Sequence, residues 1–201
     1  MRLIRFLLPV LLLAGCATTP VPDVVTASHT DLPSASMLPA NWQLQGRISL
    51  TQGESGWHAG VDWDEQVDGF QLRVSGPLGQ GGFLLTGDSA GVLLRDAAQQ
   101  VFTAPDADTL LAEVTGWQLP VEGLRYWVRG IPDPAGSFEA VMGADGRLAQ
   151  LSQSGWTIRY TRYQPVGELF WPARLGLVRD DVSVRLVIDR WAFGLAPQVV
   201  P

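Results

Sequence analysis

Residue types able to carry covalent chemistry are scarce in this chain. It has two histidines, His29 and His58, one cysteine, Cys16, and 14 basic residues that are all arginine. Without lysine there is no Schiff base, no phosphate-loop lysine and no serine–lysine dyad. One thiol and two imidazoles are too few for an internal disulfide or a zinc site. His58 is the one histidine in the region that reads as folded, and no Ser, His and acid set assembles convincingly around it. The 20 acidic residues are dispersed over turns and polar strand faces, which is ordinary solvation. A carboxylate pair brought together by folding is the remaining route to catalysis. The glycine cluster at 76–82 leads into a strand pattern, not a helix, so it is neither a dinucleotide nor a phosphate loop. We expect a non-enzyme that needs no cofactor.

Charge excludes further classes. The formal charge of −6 is inconsistent with a basic nucleic-acid surface, and it leaves little general attraction to anionic lipid. His29 reads as a solvated residue and His58 as one on a polar strand face.

The cysteine is informative through its position. A short basic start, Met1-Arg2-Leu3-Ile4-Arg5, precedes an apolar run from Phe6 to Leu13 and then Ala14-Gly15-Cys16. That run is shorter than the roughly 20 residues of a membrane-spanning helix and has the flanks of an export signal. Leu13-Ala14-Gly15-Cys16 resembles the bacterial lipoprotein processing box. The resemblance implies removal of residues 1–15 and acylation of Cys16, and Ala17 in place of aspartate implies the periplasmic face of the outer membrane. Since one acyl chain holds a bilayer only marginally, durable anchoring takes two or three.

A second unusual feature is Ser75-Gly76-Pro77-Leu78-Gly79-Gln80-Gly81-Gly82. Proline and glycine suit a hairpin connection, yet turn chemistry does not call for a large apolar residue at the tip. Leu78 either folds back onto a core or touches an apolar partner.

The elements that hold these features follow from periodicity. Residues 16–40, with Pro20, Pro22, Pro33 and Pro39, show no sustained period and read as a tether. From Trp42 onward apolar residues alternate with polar ones: Trp42, Leu44, Ile48 and Leu50; then Trp57, Ala59, Val61 and Trp63; then Phe70, Leu72 and Val74. Period 2 with one polar face marks antiparallel strands buried on one side. Apolar runs at 83–87 and 91–96 continue the meander, with a weaker strand at 100–102. Two short helices interrupt it, one from Pro105 to a stop at Gly116 and one at 121–129 between Pro120 and Gly130. Leu110, Leu111, Leu124, Trp127 and Val128 give them apolar sides. Strands resume at 138–142, 147–153, 156–160, 173–179 and 182–191. The expected fold is mainly β with a few helices: an unclosed antiparallel β-barrel of about eleven strands, because twist curls so long a sheet. The helices are expected to form an inserted lid over a hydrophobic cavity. One domain at 41–194 and a tail at 195–201 complete the organisation.

Several stretches in order resemble the LolB family. They are Gly76-Pro77-Leu78-Gly79, Val114-Thr115-Gly116, Leu119-Pro120-Val121, the run from Leu124 to Pro132, the run from Gly155 to Tyr160, Trp171-Pro172, and the run from Leu186 to Trp191. The resemblance implies a receptor anchored at the outer membrane that accepts lipoproteins from the periplasmic carrier LolA and inserts them into outer-membrane lipid. It implies an acyl-chain cavity, for which Trp42, Leu44, Ile48, Trp57, Val61, Trp63, Phe70, Leu72 and Val74 are the candidates, under a lid of Leu110, Leu111, Leu124, Trp127 and Val128. It also implies that Pro77, Leu78 and Gly79 form a membrane-delivery loop. A monomer is expected. Two alternatives stay open at this point, an outer-membrane lipoprotein with a different lipid or protein ligand and a soluble LolA-like carrier.

Overall fold

In the computed structural model the described residues are 25–27, 32–77 and 81–194. Cys16, Leu78, Gly79 and the 195–201 tail lie outside them. Twelve strands and two α-helices follow in chain order: β1 Val25–Ala27, β2 Trp42–Gln52, β3 Ser55–Gln66, β4 Gly69–Ser75, β5 Gly82–Asp88, β6 Gly91–Asp96, β7 Val101–Ala104, α1 Ala107–Thr115, α2 Val121–Trp127, β8 Phe138–Met142, β9 Leu148–Gln153, β10 Trp156–Val166, β11 Leu169–Arg179 and β12 Val182–Phe193.

The strands form one antiparallel sheet in the order β1-β8-β9-β10-β11-β12-β2-β3-β4-β5-β6-β7. Its edges, β1 and β7, do not pair with each other, so the barrel is unclosed. Within β2–β7 and within β8–β12 neighbours in sequence are neighbours in the sheet; β1 instead pairs with β8, and at the centre β12 pairs with β2 from Val182↔Gln52 to Phe193↔Trp42. That seam joins the two halves of the chain, and the helices are inserted between β7 and β8. At the seam the backbones come so close that a Cβ on Gly46 would overlap the Val187 carbonyl oxygen. Glycine is required there for space.

Eleven strands from Trp42 onward agree with the expected number; the twelfth corrects the tether. Within 16–40, β1 pairs with β8 through Val25↔Met142, Thr26↔Val141 and Ala27↔Ala140, a 3-10 turn spans Ala35–Met37, and Leu32 and Leu38 pack against the core. A three-residue strand leaves no readable period. The chain from Cys16 to Val25 therefore reaches at most about 30 Å.

A second difference is the length of β10 and β11, which continue beyond the expected 156–160 and begin before 173. Register shifts at Tyr160/Arg162 and Arg162/Tyr163 form a bulge, after which the alternation changes parity. Residues 87–91, Gly-Asp-Ser-Ala-Gly, also carry the Gly-x-Ser-x-Gly spacing of a hydrolase nucleophile turn. They form the β5–β6 hairpin with Asp88 opposite Gly91, whereas a nucleophile turn passes from strand to helix.

The helices start and stop for local reasons. The Asp106 carboxylate accepts from Thr109 N at 2.8 Å at the start of α1, and Gly116 ends it in the left-handed region at φ 75°. In α2, Gly123 is buried and a Cβ there would press on the Trp127 indole. The glycine lowers helix propensity by about 1 kcal/mol relative to alanine and leaves room for the ring to lie back along its own helix.

Candidate functional site

The inner face of the sheet and the facing sides of α1 and α2 form one continuous apolar interior. Of the nine residues expected along β2, β3 and β4, eight are buried: Trp42, Leu44, Ile48, Val61, Trp63, Phe70, Leu72 and Val74. Trp57 is only partly buried and stacks on Trp117 with ring centroids 6.3 Å apart. Leu110, Leu111, Leu124, Trp127 and Val128 of the helical segment are buried against the same interior. These fourteen residues therefore share one interior, packed in this structure against one another.

Sequence reasoning left out the other half of the wall. β9 to β12 contribute Leu151, Ile158, Leu175, Leu177, Val184 and Leu186. The alternation of β12 signals this face. An arc of rings crosses the sheet: Phe70 to Trp63 at 6.4 Å, Trp63 to Trp42 at 5.4 Å, Trp42 to Trp191 at 5.6 Å and Trp191 to Trp171 at 5.4 Å. Tryptophans from distant positions meet because β4, β3, β2, β12 and β11 are consecutive in the sheet.

Two polar clusters fix α2 over this interior. At its end, Gln153 uses its full amide capacity: Oε1 accepts from Trp127 Nε1 at 2.8 Å and from Asp133 N at 2.8 Å, while Nε2 donates to the Asp133 carbonyl at 2.7 Å and the Gly136 carbonyl at 3.0 Å. The Tyr160 hydroxyl donates to the Trp127 carbonyl at 2.8 Å, and burial pushes that phenol well above its ordinary pKa. This end of α2 is closed to further partners.

Mid-helix, the second cluster is ionic. Glu65 stands on the inward parity of β3 and is 6% exposed. Its carboxylate accepts from Arg125 Nε at 2.8 Å and from Trp63 Nε1 at 3.1 Å, with Arg125 Nη2 bound to the same oxygen. Arg125 also reaches Glu122 at 3.3 Å. Burial raises the Glu65 pKa, and the opposing pull of Arg125 does not cancel it. Burial likewise works against the Arg125 charge, yet its bonds to Glu65 prevail and its pKa rises. Glu65 is the functional candidate that sequence reading missed, and the signal was a charge on an otherwise apolar parity.

Two indole N–H groups, Trp42 Nε1 and Trp156 Nε1, are buried without an acceptor among the described residues. An unmade bond to such a donor costs about 1–3 kcal/mol. Trp42 lies in the middle of the aromatic arc beneath the Arg129 guanidinium, 5.9 Å from its ring.

At the rim, Ser75 ends β4 and Gly76 N donates to the Gly81 carbonyl at 3.1 Å, which closes the base of the connection to β5. Pro77 is exposed there.

Among the described residues no helix is long and apolar enough to cross a membrane. An open antiparallel half-barrel wrapped round an apolar interior and covered by two short helices defines the class of this molecule. A family model described as outer membrane lipoprotein LolB matches residues 40–191. The outer-membrane lipoprotein LolB of Pseudomonas aeruginosa is 39% identical over 150 residues, 75% of this chain and 73% of that protein; the Pseudomonas putida one is 37% identical over the same shares. A LolA superfamily protein from Nitrosomonas europaea has a TM-score of 0.49 at 9% identity, covering 79% of this chain and 88% of its own. The chain belongs to the LolB family of outer-membrane lipoproteins. It is a lipid-anchored lipoprotein receptor of the outer membrane and not an enzyme.

Proposed function

We propose that the protein receives acylated lipoproteins from the periplasmic carrier LolA and holds their acyl chains on the inner face of β2–β4 and β9–β12 after α1 and α2 swing off it. It then releases them to outer-membrane lipid. The observation that carries this reading is the interior itself, apolar apart from the two polar clusters that tie α2 to it, the Glu65–Arg125 ion pair and the Gln153 amide. Opening α2 exposes the tryptophan arc, and an incoming chain replaces helix side chains as the apolar cover. The orphaned Trp42 indole supports the same reading, because an ester or amide carbonyl at the head of an acyl chain is the acceptor it lacks.

Energetically the handover is an exchange of like surfaces. A sixteen-carbon chain gains roughly 12 kcal/mol on full burial at about 0.8 kcal/mol per methylene. It gains nearly as much in a bilayer or in another apolar groove, so direction comes from small differences in affinity. In this reading Cys16 carries the anchor, and Pro77, Leu78 and Gly79 form the loop that meets the bilayer. Reconstituted transfer from loaded carrier to vesicles tests it: Leu78→Glu is expected to leave the fold intact and reduce delivery, and unchanged delivery contradicts the assignment.

A further inference from the structure

The net charge of −6 conceals an uneven distribution. On the convex face, two adjacent rows cross the centre of the sheet. One runs Arg159↔Gly176↔Arg185↔Ser49 from β10 to β2, and the other runs Arg162↔Arg174↔Val187↔Arg47. All five arginines are exposed. Arg47 pairs with Asp189 at 3.0 Å, and Arg159 reaches the neutral amide of Gln150. Among the described residues Arg162, Arg174 and Arg185 have no carboxylate partner.

Arg162 and Arg174 stand directly opposite each other. Like charges in that position destabilise a sheet, and among the described residues no carboxylate pairs with either of them. Glycine and small residues between the arginines leave two hollows of about 420 and 230 Å³, both walled by Arg174 and Arg185. The larger is also walled by Pro77, so the connection between β4 and β5 leaves the sheet at its edge.

We propose that this convex arginine face docks on the anionic headgroups of the bilayer in which the protein is anchored. Phosphate groups supply the counter-charge that the chain withholds. A tether of at most about 30 Å keeps this face within reach of the bilayer surface. Docked in this way, the molecule sets the foot of the 76–81 connection against the headgroups. The inference rests on the outer-membrane anchoring of the family and not on the acyl-chain reading.

The test uses the full acylated protein in vesicles, with a fluorophore on Ser183→Cys, an exposed position beside Arg185, and an energy acceptor on the lipid headgroups. Strong transfer is expected when phosphatidylglycerol is added to phosphatidylethanolamine, fading as salt is raised. The triple variant Arg162→Gln, Arg174→Gln, Arg185→Gln is expected to lower the docked-to-undocked ratio about 100-fold, at about a fivefold change per arginine. Equal transfer on both lipid mixtures, or no response to salt in the unsubstituted arginine face, overturns the proposal. Transfer that changes only when an acidic carrier protein is added assigns the face to a protein and also overturns it. Lipoprotein delivery to vesicles of phosphatidylethanolamine alone, measured in parallel, separates this failure from failure of the acyl-chain reading.

Discussion

Arg125→Leu should open the molecule without unfolding it. The substitution keeps an apolar stem on α2 but leaves the Glu65 carboxylate, 6% exposed, with Trp63 Nε1 as its remaining hydrogen-bond donor. Breaking a buried pair from one side costs about 3–5 kcal/mol. Glu65, which stays on β3, escapes part of that when α2 leaves it and water reaches its carboxylate, so we assign about 2–3 kcal/mol to the closed-to-open equilibrium. This is a shift of about 30- to 150-fold toward the open form. The sign with pH follows from the raised pKa of Glu65, whose cause is burial. A carboxyl raised in the closed state contributes stability that is complete below its ordinary value of 4.5 and is lost as pH rises through the raised one. The defect is therefore largest at neutral pH and shrinks as the solution is acidified toward 4.5. Binding of a fluorescent apolar dye, with far-ultraviolet circular dichroism as the control for fold, reads the opening. Adding Glu65→Leu to Arg125→Leu is expected to restore closure, since a buried ion pair replaced on both sides by apolar residues is often neutral or stabilising. Dye binding equal to that of the parent protein at pH 7.5, or an increase that does not change on acidification, refutes the reasoning.

Other predictions follow from single contacts. Gly46→Ala forces the β2–β12 seam apart and is expected to destabilise the fold by about 1–3 kcal/mol, read as a lowered Tm. Tyr160→Phe removes one of two donors to the Trp127 carbonyl, leaving Gly130 N at 3.0 Å, a loss of about 1 kcal/mol by denaturant unfolding. Because burial also raises the Tyr160 pKa, no phenolate signal from that residue should appear before the protein unfolds in alkali, as ultraviolet difference spectra would report. Cys16→Ala is expected to abolish acylation, checked by mass spectrometry of the purified protein.

The strand parities were readable from the sequence because water lies on one face of the sheet and apolar packing on the other. Trp42, Leu44, Val61 and Trp63 point inward as the alternation requires. The bulge at Arg162 hid the far ends of β10 and β11, since one extra residue reverses the parity beyond it. Pro165 and Pro172 also lie in these far ends, where a proline gives the ladder no N–H. Proline is tolerated there because β9 pairs with β10 only as far as Arg159 and β12 pairs with β11 only from Arg174 onward. Glu65 and the arginine face were hidden for a different reason. Each depends on residues far apart in the chain, 60 residues between Glu65 and Arg125, and only sheet order brings them together.

The central claim is that acyl chains of cargo lie on the inner face during delivery. Its most direct test is photocrosslinking, with a lipoprotein bearing a light-activated group on its acyl chain transferred from loaded carrier and trapped in passage. The account predicts adducts on inner-face residues such as Trp42, Trp63, Ile158 and Leu186. Delivery that proceeds with adducts confined to the convex face, or with none on this protein, would contradict it.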